Sequence, residues 1–112
     1  MFGFQKLDVY RCAIEFLALA APLSEHVPKG YAALGDQLRR ASTSIPLNLA
    51  EGTGKFDKDA RRFYAIARGS ALECAAIIDT FKVLSFINGE AYDKAQTLLD
   101  RIVAMLTVMI RD

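Results

Sequence analysis

The sequence predicts an all-α protein, an antiparallel up-down four-helix bundle, from its composition, its periodicity and its punctuation. Alanine is the commonest residue at 17, and 13 Leu stand against 5 Val and 5 Thr. That balance favours helix, because β-branched side chains lose rotamer freedom in a helix and alanine loses none. No stretch alternates apolar and polar residues long enough to argue for a half-buried strand. Turn signals at Pro28-Lys29-Gly30, Gly52-Thr53-Gly54 and Asn88-Gly89 divide the chain into four segments.

Each segment carries apolar residues at helical spacing. Residues 7–23 place Tyr10, Ala13, Ile14, Leu17 and Ala21 on one stripe. Residues 31–51 do so with Leu34, Leu38, Ala41, Ile45 and Leu49, and Pro46 within them removes a bond to Ser42, which predicts a kink. Residues 57–86 align Phe63, Ala67, Ser70, Cys74, Ile77, Phe81 and Leu84. Residues 90–111 align Ala95, Leu98, Ile102, Met105 and Met109, with Asn88 placed to cap them. Short connections between long helices imply antiparallel neighbours.

Residues 1–112 read as one domain. Hydrophobic residues make up 53% of the chain and charged residues 24%, which excludes disorder, and two Cys exclude a disulfide scaffold. The longest unbroken apolar run, Phe16–Ala21, is far short of the roughly 20 residues a membrane span needs. With no basic-then-apolar leader at the start, a cytoplasmic location and no membrane partner are expected.

The apolar surplus points to self-association. The fourth segment has a second stripe of Leu99, Val103, Leu106 and Ile110. In the third, Leu72, Ala75, Ala76, Val83 and Phe86 fall roughly opposite Phe63 and Phe81. Left in water, these residues would form an extended apolar patch, which monomers avoid. The expected interface therefore comprises Leu72, Ala76, Val83, Phe86, Leu99, Val103, Leu106 and Ile110. The alternative is a monomer with scattered apolar surface residues.

The net charge of +1 is an average. Residues 39–68 hold seven bases (Arg39, Arg40, Lys55, Lys58, Arg61, Arg62 and Arg68) against Glu51, Asp57 and Asp59, a net of +4 that leaves −3 for the rest. Arg61 and Arg68, seven apart, share a helix face. Bases grouped around one turn suit successive phosphates of RNA or DNA, and repetition in an oligomer multiplies the contacts. The plainer alternative is a solvated surface paired with nearby acids.

Asn48, Ser70 and Glu73 lie on or beside apolar stripes, where polar groups need partners. They are expected to bond one another, or the carbonyl freed by Pro46, as a clamp between helices two and three; a catalytic carboxylate is the lesser alternative. Little else suggests an enzyme. His26 is the only histidine and sits by a turn, and isolated Cys12 and Cys74 read as buried apolar groups. No metal set or cofactor is expected. Gly52-Thr53-Gly54-Lys55 lacks the Walker pattern and a preceding strand, so it reads as a turn.

The stretch Arg39-Arg40-Ala41-Ser42-Thr43-Ser44-Ile45-Pro46-Leu47-Asn48-Leu49-Ala50-Glu51-Gly52 closely resembles the signature of the four-helix bundle proteins found in 23S rRNA intervening sequences. Phe4-Gln5-Lys6-Leu7-Asp8-Val9-Tyr10 and Ala67-Arg68-Gly69-Ser70-Ala71-Leu72-Glu73 fit as well, with Tyr10 where the family often has Trp. The resemblance implies a homopentameric ring, and similarity to the nucleic-acid-binding accessory protein of diversity-generating retroelements. It implies structural roles for Pro46, Asn48, Glu51, Gly52, Ser70 and Glu73. The expected function is therefore a non-enzymatic, oligomeric RNA- or DNA-binding protein. The runner-up is a scaffold docking a protein such as a reverse transcriptase or ribosomal component.

Overall fold

A computed structural model describes residues 1–112 and contains four long helices and no strand. A 3-10 turn, Gly3–Lys6, leads into α1 (Asp8–Glu25), followed by α2 (Ala32–Thr53), α3 (Asp57–Val83) and α4 (Gly89–Arg111). α1 and α3 each pack against both α2 and α4, forming a four-helix bundle 44 Å long and about 25 Å across. At 1.5 Å per residue the 27 residues of α3 run nearly its whole length, roughly 40 Å.

The core is a single cluster led by Phe16, Leu38, Ile45, Ile78, Phe81 and Ile102. Fully buried Ala13, Ala20, Ala67, Ala71 and Ala95 stand between these large side chains. The stripes expected on α2, α3 and α4 face this core. On α1 the phase is different: Val9, Cys12, Ala13, Phe16 and Ala20 are buried, while Ile14 is 40% exposed. The run Phe16–Ala21 is apolar all the way round, so periodicity leaves its inward side undefined; the bulk of Phe16 decides it.

Helix ends explain the remaining departures. α2 holds Pro46 inside it, as expected, and continues through Gly52-Thr53, where the sequence predicts a turn. Gly52 is buried, and a Cβ there would come 2.6 Å from the Tyr64 ring, so glycine permits α2 and α3 to touch. α3 stops at Val83, short of Phe86, because Ser85 turns left-handed at φ 64°. The Phe86 N–H donates to the Phe81 carbonyl at 2.8 Å and the Ser85 N–H to Lys82 at 3.1 Å. These bonds form a Schellman cap, and its usual apolar contact is present as an edge-on Phe81–Phe86 pair 5.7 Å apart. α4 starts as expected, with Asn88 Oδ1 accepting the Ala91 N–H at 2.8 Å.

Candidate nucleic-acid interface

Lys58, Arg61 and Arg62 stand at i, i+3 and i+4 at the start of α3, so they form one ridge on the helix surface. All three are exposed, as is Lys55 in the preceding connection. Lys55 Nζ lies 5.9 Å and Arg62 Cζ 5.2 Å from the centre of the Phe63 ring, whose negative π-face attracts them. The chain's two ion pairs, Arg39–Asp36 at 2.6 Å and Lys94–Glu15 at 3.8 Å, involve none of these four cations. Asp57 and Asp59 occupy the first turn of α3, where the helix dipole favours negative charge. On the helical wheel they flank the basic ridge without entering it.

The other three expected bases are placed differently. Arg68 is half-buried and its Nε donates to Thr107 Oγ1 at 2.9 Å, tying α3 to α4. Arg39 is neutralised by Asp36 on its own helix. Arg40 lines a cleft with Gln37, Ser44, Ser70 and Glu73. Ser70 and Glu73 stand nine and twelve positions beyond Arg61, which puts that cleft roughly 14 to 18 Å along α3 from the ridge. The basic stretch is thus a cluster at the α2–α3 end plus separate side chains along the bundle.

The clamp between α2 and α3 is organised by Ser44. Asn48 Nδ2 donates to the Ser44 carbonyl at 2.8 Å and to Ser44 Oγ at 2.9 Å, and Ser70 Oγ donates to Ser44 Oγ at 2.8 Å. Glu73 accepts from Gln37 Nε2 at 3.3 Å. The expected direct bonds among Asn48, Ser70 and Glu73 are absent, and the carbonyl freed by Pro46 is not the one Asn48 uses. Ser44 and Gln37 supply the links that the sequence expectation lacked. The i, i+4 spacing of Ser44 and Asn48 was the available signal. Glu51 is exposed, and its carbonyl accepts the Gly54 N–H at 3.2 Å.

The expected interface residues divide into two groups. Ala76 is exposed, as are Leu72 at 46% and Val83 at 84%. Leu99 and Leu106 are buried in their own chain's core, because α4 packs on both α1 and α3 and needs both apolar stripes. They are not available to a second copy. Phe86 is half-buried against Phe81 and Tyr31, and Val103 and Ile110 are half-buried on α4. Val103 and Leu72 line the same groove between α3 and α4.

Cys12 and Cys74 are free and buried. Burial, helped by the neighbouring Glu73 charge, pushes the Cys74 thiol up to about 12, so it stays protonated at neutral pH. His26 is exposed, with Nδ1 2.6 Å from the Pro22 carbonyl. No three His, Cys, Asp or Glu side chains converge as a metal set. No helix is long and apolar enough to cross a membrane.

These features define a four-helix bundle with an unpaired cationic ridge at one end and a polar clamp between its second and third helices. The model of the 23S rRNA-intervening sequence protein family matches residues 5–108, and the chain belongs to that family. No curated protein matches the sequence.

Proposed function

We propose that this chain is a non-enzymatic, RNA-binding bundle that acts as an assembly of several copies in the cytoplasm. The observation that carries the proposal is the exposed ridge of Lys58, Arg61 and Arg62, which no acidic side chain neutralises. Unpaired cations on one ridge gain most from a polyanion, because each phosphate contact releases condensed counterions. The family's name links its members to 23S rRNA, which makes RNA the first nucleic acid to consider.

Beyond the ridge, the outward side of α3 continues as Ala65, Gly69, Leu72, Ala76 and Val83, all exposed. Packing that apolar strip on a neighbouring copy would leave the basic ends free and repeat them around the assembly, where multivalency strengthens binding. The pentameric ring is the arrangement the family resemblance implies. Within each copy, links from 37 to 73, 44 to 70 and 52 to 64 pair falling with rising numbers. Such pairing supports the antiparallel up-down order.

A gel-shift experiment tests the binding surface. Wild-type protein is expected to retard RNA at low salt and to release it as salt rises. Arg61→Glu with Arg62→Glu is expected to abolish the shift while the particle mass stays unchanged. Absence of a wild-type shift at low salt overturns the proposal.

A further inference from the structure

The basic end carries a second feature that phosphate binding alone does not use. Phe56, between Lys55 and the start of α3, is 87% exposed, and Phe2 is 73% exposed. Large aromatic rings normally bury most of their surface, and this one stands outside the core, next in sequence to Lys55 and two residues before Lys58, both exposed. Phe56 itself is extended at φ −115° and ψ 141°, and the next residue, Asp57, turns the chain at φ 48°, a region Asp enters more readily than most non-glycine residues. At the N-terminal turn, Phe2 and Phe4 stack with their planes 5° apart and ring centres 5.9 Å apart. They line an open groove of about 510 Å³ with Ala50, Thr53 and Gly54. The groove reaches within two residues of Phe56.

We propose that the α2–α3 end takes single-stranded nucleic acid, with an unpaired base stacked on the Phe56 ring and flanking phosphates on Lys55, Lys58, Arg61 and Arg62. This deepens the nucleic-acid proposal above and rests on it. Every base has a π-face, so an exposed ring beside cations suits a single strand of any sequence. In a duplex the base faces are already stacked, and the cations alone would be engaged. A second copy of this chain is the poorer occupant, because covering Phe56 would bring the exposed, unpaired Lys55 and Lys58 beside it against a neighbour.

The test compares a short oligouridylate with an RNA duplex of equal phosphate number, using full-length protein and Phe56→Ala, Phe56→Leu and Phe56→Trp. Helix content by circular dichroism should be unchanged, since the side chain is exposed. Stacking predicts that Phe56→Ala and Phe56→Leu weaken oligouridylate binding by about five- to hundredfold and leave duplex binding unaltered, while Phe56→Trp retains both. Equal effects on both ligands, no effect on either, or full activity of Phe56→Leu would overturn it. A fall in particle mass with unaltered oligouridylate affinity would also overturn it, assigning Phe56 to contact between copies. Wild-type protein that binds neither RNA would remove the parent proposal. Wild-type protein that binds both while Phe56→Ala behaves like wild type would remove stacking alone.

Discussion

Single residues in this bundle are set by what surrounds them on two sides. Cys74 lies fully buried between core side chains, and its thiol is pushed up to about 12 from an ordinary 9.0. Below pH 9 both folded and unfolded chains keep that proton. Above it the unfolded thiol ionises first, the unfolded state then holds fewer protons, and stability falls as pH rises towards 12. Tyr64, raised by burial, and Tyr92, raised mainly by its hydrogen bond to Asp79, act in the same direction. Urea denaturation across pH 8 to 12 should therefore show an alkaline decline that is shallower in Cys74→Ala. That variant should cost about 1 kcal/mol at neutral pH, the central value for point substitutions, because only one buried sulfur is removed. Equal slopes in both proteins would place the Cys74 thiol in a more polar setting. Residue spacing was enough to mark Cys74 as buried, because it falls on a clean stripe. The role of Ser44 is not legible from spacing, because an exposed serine and a hydrogen-bond hub look alike until the partner helix is in place.

At the scale of elements, the four helices follow from periodicity and their ends from cap chemistry. Where a helix has one apolar face, as α2 does, that face alone predicts the core. α1 and α4 are apolar over wider arcs, so the stripe that faces inward depends on neighbours the sequence does not display. Periodicity therefore does not define the buried side of α1 or the burial of Leu99 and Leu106. The end of α3 was hidden for another reason: its left-handed cap position is held by Ser85 instead of glycine. A side chain there works against the αL conformation that glycine adopts freely. Ser85→Gly should raise stability by about 1 kcal/mol, seen as a higher urea midpoint with an unchanged slope. A lower midpoint would show that the Ser85 side chain contributes more than its backbone costs.

For the whole molecule, the opposition is between an apolar strip and a basic end on the same outward side of α3. Ala65, Gly69, Leu72, Ala76 and Val83 are small or aliphatic and exposed, while Lys58, Arg61 and Arg62 carry charge that resists burial. The charge count along the sequence located the basic segment. It did not reveal that Arg39 and Arg68 are already engaged, because pairing depends on which side chains meet in space. Light scattering of the purified chain, alone and with a single-stranded RNA at low salt, tests assembly and binding together. The expected result is a particle of several 12.3 kDa chains that gains mass when RNA is added. A particle of one chain, unchanged by RNA, would contradict it.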